Sequence, residues 1–205
     1  SSGIVASDCA MPDSPENNFA TMNPLEKHAD ITLSEGNLKS VSSGDWRAVK
    51  GTQSIHTGKR YFEAYVNTTS SNIQDQVIGL TGDDTVLSGT SPYPQADPPV
   101  ISYFGSGDIY KDGSLLAGSL TSFSAGNVLG VAVDFDNSTV QFYLNNSAQS
   151  SAQTLPTADL LMPFHVASGT RYSIFNFGQD SSFAGNKTAQ GNTDANGIGD
   201  FYYAP

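Results

Sequence analysis

The sequence predicts an all-β fold, a two-sheet antiparallel β-sandwich, on three observations. Short apolar stretches recur about every ten residues from Phe19 onward, separated by Gly, Asn, Asp, Ser and Pro. The best of them alternate apolar and polar with a period of two. No long window keeps apolar residues at i, i+3, i+4 and i+7, and 20 Gly and 10 Pro interrupt most helical candidates.

Taken in order, residues 1–18 are rich in Ser, Asp, Pro and Gly and read as an N-terminal arm or linker. Its Ile4 and Val5 are suited to dock on a neighbouring surface. Residues 19–205 form the sandwich. Residues 61–66 put Phe62, Ala64 and Val66 on one face, with Tyr61, Glu63 and Tyr65 on the other. Residues 77–80 are apolar on both faces, which places that strand centrally. Residues 100–104 and 108–111 flank the turn Gly105-Ser106-Gly107, and Lys111-Asp112-Gly113 is a further turn.

The clearest signal is 128–144. Leu129, Val131, Val133 and Phe135 share one face, and after Asp136-Asn137-Ser138 so do Val140, Phe142 and Leu144. Asp, Asn and Ser bond local backbone and tolerate unusual φ, so this is a hairpin. A single helical turn is expected near 156–160. Residues 162–166 and 171–177 close the series around Ala167-Ser168-Gly169. Residues 180–200 read as a long loop before Phe201-Tyr202-Tyr203.

Charge narrows the function. With 20 acidic against 9 basic residues the formal charge is −11. Nucleic-acid binders need surplus Lys and Arg to release counterions from phosphates, so that class is excluded. An anionic membrane surface is disfavoured likewise, and no apolar run approaches the length of a membrane span. Cys9 is the only cysteine, so neither an intrachain disulfide nor a Cys-based zinc site is available. The chain has no initiator Met and stops at Pro205, the expectation being a processed product or an excerpt of a longer polypeptide.

Several phrases have a family likeness. Gly58-Lys59-Arg60-Tyr61-Phe62-Glu63, Val77-Ile78-Gly79-Leu80, the run from Gly126 to Asp134, the run from Val140 to Asn145, Leu161-Met162-Pro163-Phe164 and Asn176-Phe177-Gly178-Gln179 resemble, in order and spacing, the strands of SPRY domains. The resemblance implies a concanavalin-like sandwich. It assigns mostly structural work: Gly58, Gly79 and Gly130 for backbone approach or positive φ, Glu63 for a cross-strand donor, Asn176 and Gln179 for tying the last strand to loops. Two further stretches, Asp13 to Leu25 followed by Leu33 to Leu38, and Gly191 to Gly197 followed by Phe201 to Pro205, resemble the ends of SPRY-type modules in tailed-bacteriophage virion proteins.

Catalysis is not expected. His28, His56 and His165 are the only imidazoles, and no Gly-x-Ser-x-Gly elbow occurs. His165 alternates with Phe164 and Val166 and so faces away from them. Glycoside hydrolysis needs two carboxylates, but only Glu63 among the glutamates lies on a clear strand, and Asp134 and Asp136 run into a turn. Asp83-Asp84, Asp134/Asp136 and Asp194/Asn196 could supply calcium ligands, yet turn chemistry explains them, so no metal or cofactor is expected.

What remains is binding. Tyr93, Tyr103 and Tyr110, with Phe104, come from the Pro- and Gly-rich stretch 90–113 and are the candidate ligand contacts. Trp46 is expected in the core. The leading expectation is a non-enzymatic phage virion module, at the tail or particle surface. Its loops would recognise a host-surface glycan or another virion protein, and it would be homo-oligomeric through the arm. The alternatives are a purely architectural capsid decoration or tail protein, and a cellular SPRY adaptor that captures a short peptide.

Overall fold

The computed structural model describes residues 18–68, 72–82 and 98–205. Tyr93, the Asp83-Asp84 pair and residues 1–17 of the arm lie outside the described residues. Fifteen strands are present: β1 Met22–Lys27, β2 Ile31–Ser34, β3 Lys39–Ser42, β4 Arg47–Gly51, β5 Lys59–Thr68, β6 Gln76–Thr81, β7 Val100–Phe104 and β8 Asp108–Lys111. They continue with β9 Ser114–Ala117, β10 Val128–Asp134, β11 Thr139–Leu144, β12 Ser147–Ala148, β13 Gln153–Thr154, β14 Met162–Ala167 and β15 Arg171–Asn176. There is no helix among the described residues. The expected turn near 156–160 is an irregular crossing instead: Ile55 and Leu161 exchange backbone hydrogen bonds, and Leu155 and Leu161 are drawn into the core on either side.

Every pairing is antiparallel. One sheet has seven strands in the order β1-β4-β14-β6-β7-β8-β9; the other runs β12-β11-β10-β5-β15-β3-β2, with β13 as an eighth strand on β11. The hairpin read from 128–144 is β10–β11, with Val131 opposite Phe142 and Asp134 opposite Thr139. Strand β6 lies between β14 and β7, in the interior of its sheet, as its two apolar faces require.

The two sheets enclose one apolar layer. The seven-stranded sheet contributes Val49, Ile78, Leu80, Ile101, Tyr103 and Ile109; the other contributes Phe62, Ala64, Leu129, Val131, Phe142 and Phe175. At one end the layer turns polar. Ser40, Ser42, Gln76, His165 and Ser173 are all buried there, and Arg171 pairs with Asp75 at 2.9 Å and donates to the Asn72 carbonyl.

Gln76 Nε2 donates to the Asn67 and Ile73 carbonyls, which turns its Oε1 toward His165 Nε2 and the Ser173 hydroxyl. That acceptor assigns the imidazole proton to Nε2 and leaves Nδ1 to accept from Ser40 at 3.0 Å. His165 thus faces into the sandwich, away from Phe164 and Val166. With no charge to pair it, burial pushes its pKa down to about 3.

The expected long loop after β15 is a strap lying on the outer face of the eight-stranded sheet. Phe183 packs with Tyr65, Val128 and Ile174, and Phe201 meets Tyr61 edge-on at 5.4 Å. Asn176 Oδ1 accepts from the Gly178 and Asp180 amides, and Gln179 Nε2 donates to the Ala20 carbonyl at 2.7 Å. Those are the ties expected of Asn176 and Gln179.

Candidate interaction surface

Period two decides where the candidate aromatics go. On β7, Ile101 and Tyr103 point between the sheets, and Val100, Ser102 and Phe104 point outward. Tyr103 is 0% exposed; its hydroxyl donates to the Thr121 carbonyl at 2.6 Å and its ring stacks on Phe123. It is therefore a core residue, and its assignment as a ligand contact is corrected. Burial raises its phenol to about 12, so it stays a neutral donor. Tyr110, one strand over, points outward and packs edge-on against Phe104 at 5.1 Å.

The outer face of the seven-stranded sheet is apolar around Ala48, Val77, Phe104, Phe164 and Val166, with Trp46 and Tyr110 half-buried beside them. Trp46 is thus at the rim of this outer cluster and outside the inter-sheet core. It sits at φ +51°, an uncommon conformation for a bulky side chain. Two hydroxyls on this face, Thr81 Oγ1 and Ser102 Oγ, are buried without a hydrogen-bond partner.

The sheet ends on β9, and there the apolar surface reaches water. Tyr110 pairs with Leu115, but Ile109 pairs with Ala117, so Leu116 is an extra residue in a bulge. Leu115 is 56% exposed and Leu116 39%. Fully burying a leucine is worth about 1.5–3 kcal/mol, of which the isolated chain forgoes roughly half at Leu115 and less at Leu116. Residues 113–133 contain no Asp, Glu, Lys or Arg, in a chain of net charge −11. A β9 strand free of charged side chains, with two exposed leucines beside the half-buried Tyr110 and with Asp108 and Lys111 on the neighbouring β8, suits a protein contact.

Of the sequence-predicted aromatics only Tyr110 lies beside these leucines, which sequence reasoning did not single out. The signal was present: consecutive leucines between Gly113 and Gly118 cannot both face one core in a strand.

The carboxylates weighed for hydrolysis have structural work. Glu63 accepts four hydrogen bonds, from the Tyr202 and Tyr203 amides, Asn176 Nδ2 and the Tyr61 hydroxyl. Burial raises its pKa, and the four donors pull it back. Asp134 pairs with Lys59 at 3.3 Å and accepts from Asn137, whose hydrogen bonds hold its carboxyl below the usual range. Asp136 accepts from the Gly58 amide. Asp134 is opposite Lys59, four residues from Glu63 on β5, so the two carboxylates are about 13 Å apart along the strand direction. A glycosidase pair requires about 5–9.5 Å. Among the described residues no three His, Cys, Asp or Glu side chains gather into a metal site.

The buried polar side chains of the sandwich are tied to one another or to its backbone, apart from Thr81 Oγ1, Ser102 Oγ and Asp200 Oδ1. A model of the SPRY domain family matches residues 59–180, and the chain belongs to that family. SPRY domains typically mediate protein–protein interaction and are generally non-catalytic. Among solved structures, the chain is similar to the SPRY domain of human HERC1, at 15% identity over 75% of this chain and 96% of that one, with a TM-score of 0.62. The TRIM65 PSpry domain is similar at 16% identity over 77% and 89%, with a TM-score of 0.63. Stonustoxin is similar at 20% identity, over 77% of this chain and 27% of its own, with a TM-score of 0.60. No curated protein matches the sequence.

Proposed function

We propose that the chain is a non-enzymatic recognition module of a tailed-phage virion, which holds another virion protein or a host-surface glycan through the β8–β9 edge. The observation that carries the contact surface is the exposure of Leu115 and Leu116 beside Tyr110 in an uncharged stretch. The virion setting is supported by the phrases Asp13 to Leu25, Leu33 to Leu38, Gly191 to Gly197 and Phe201 to Pro205. Residues 1–18 serve as an arm that joins a neighbouring copy.

The test pairs location with adhesion. Electron microscopy of assembled particles locates the chain, and a Tyr110→Ala/Leu115→Ser variant is scored for particle incorporation and host-cell binding. Leu115 is exposed and Tyr110 half-buried against Phe104, so the variant melts somewhat lower and is scored below its own melting midpoint, where incorporation or adhesion falls. A particle lacking the chain overturns the virion setting and leaves the cellular adaptor. A lattice position without adhesion makes the role architectural. Unchanged incorporation and adhesion in the variant overturn the β8–β9 surface.

A further inference from the structure

The outer face of the eight-stranded sheet carries a second exposed surface of different chemistry. The strap covers its centre and leaves Tyr172, Tyr202 and Tyr203 half-exposed. Two ammonium groups lie on these rings. Lys39 Nζ is 4.4 Å from the Tyr172 ring centre; Lys187 Nζ is 5.8 Å from that of Tyr65 and 5.7 Å from that of Tyr202.

Neither amine forms an ion pair with a described carboxylate, although the chain has 20 acidic residues to 9 basic ones. The hydroxyls of Tyr172, Tyr202 and Tyr203 make no hydrogen bond to a described residue. Beneath the Tyr202 and Tyr203 backbone Glu63 is saturated by four donors, and Asp200 Oδ1, two residues before Tyr202, is buried.

We propose that this tyrosine face, flanked by Lys39 and Lys187, binds an anionic saccharide, one bearing carboxylate or phosphate groups. The hydroxyls of Tyr172, Tyr202 and Tyr203 exchange hydrogen bonds with the sugar hydroxyls, while the ring faces of Tyr172 and Tyr202 carry the ammonium groups. The two amines supply charge-assisted hydrogen bonds to the anion. Held on aromatic rings, they keep their charge near the sugar and surrender no existing ion pair. At about 0.1 M salt the remaining acids, where more than about 10 Å away, are largely screened. This surface is separate from the β8–β9 edge, and the inference does not depend on the virion setting.

The full chain is tested by affinity electrophoresis in gels containing polygalacturonate, poly(glycerol phosphate) or neutral dextran. At least one anionic polymer retards the wild type and dextran does not; which one does so assigns carboxylate or phosphate. Lys39→Gln/Lys187→Gln weakens retardation about tenfold or more, and Tyr172→Ala weakens it too, with melting midpoints kept. Lys111→Gln, which removes a charge at the other sheet's edge, leaves it unchanged. Retardation by neither anionic polymer, equal retardation by dextran, or an equal loss in Lys111→Gln overturns the proposal.

Discussion

Replacing Glu63 by Gln changes one oxygen to an NH₂ and little else in shape, so it isolates what the carboxylate does. The carboxylate accepts from the Tyr203 amide and the Tyr61 hydroxyl at Oε1, and from the Tyr202 amide and Asn176 Nδ2 at Oε2. An amide presents an acceptor to only one of these pairs; the other pair meets N–H groups. Each buried donor left unsatisfied costs about 1–3 kcal/mol. Against this, Gln escapes the desolvation of a buried charge, the same effect that raises the pKa of Glu63. The net expectation is a loss of about 2 kcal/mol, or roughly 4–8 °C in melting midpoint for a chain of this length. Hydrogen exchange locates the damage. The Tyr202 and Tyr203 amides lose protection, and the β10–β11 amides keep theirs. A Glu63→Gln protein within about 0.5 kcal/mol of wild type, with those two amides as protected as before, refutes the carboxylate as the clamp of the strap.

Two other expectations rest on buried groups. His165 has a folded-state pKa near 3 against 6.5 in the unfolded chain, so its contribution is intact above pH 6.5 and is lost as pH falls from there toward 3. The slope is about 1.4 kcal/mol per pH unit. Glu63 runs the opposite way, because its raised pKa adds stability as pH falls through it. The slope is therefore read as the difference between wild type and His165→Gln in denaturation curves from pH 7 to 4. Parallel curves would refute the buried neutral imidazole. Gly79 and Gly130 respond unequally to alanine. At Gly130 a Cβ lies 2.6 Å from the Tyr61 hydroxyl, a side chain that can swing at a cost of about 1–3 kcal/mol. At Gly79 it lies 2.1 Å from the Ile101 carbonyl oxygen and 2.6 Å from the Ser102 Cα, which are backbone atoms of β7. Gly79→Ala is the more destabilising in thermal melts, and the reverse order would refute the close backbone approach.

The sandwich was legible because its strands obey period two with one face apolar, as in Leu129, Val131 and Val133. Reading failed where both faces are apolar. In Val100–Phe104 all five residues are buried, so alternation could not say which aromatic faced the core, and Tyr103 was placed on the surface. Strands β1–β4 were not resolved individually from sequence, because they are short and bury polar side chains such as Ser40 and Ser42. The Ser40 hydroxyl is satisfied by His165, and the Ser42 hydroxyl by the nearby Gly44 carbonyl and the distant Ala167 carbonyl, and no local pattern reveals the distant partners. The strap was read as a loop for a related reason. Its composition is that of a loop, and its ties include a carboxylate more than a hundred residues earlier, Glu63, and apolar contacts of Phe183 and Phe201 with strands far away in sequence.

The two sheets solve the same problem by different means. The family match spans β5 to β15, yet β14 pairs with β4 and β15 with β3, both outside the match. Without those neighbours β14 and β15 would present unpaired N–H and C=O groups. The flanking segments therefore complete the fold, with Met22, Ile31 and Val49 entering the common core. On the eight-stranded sheet the chain goes further and seals the outer face with its own strap, at the cost of burying a carboxylate. On the seven-stranded sheet no described segment pairs with β9, and only a bulge interrupts that edge. The chain thus buries a Glu to hold the strap over one face, while on the other sheet it leaves Leu115 and Leu116 exposed at β9 and Leu25 exposed on β1. That exposure, more than the aromatic content of any loop, is the physical ground on which the proposed contact is assigned to the β8–β9 edge.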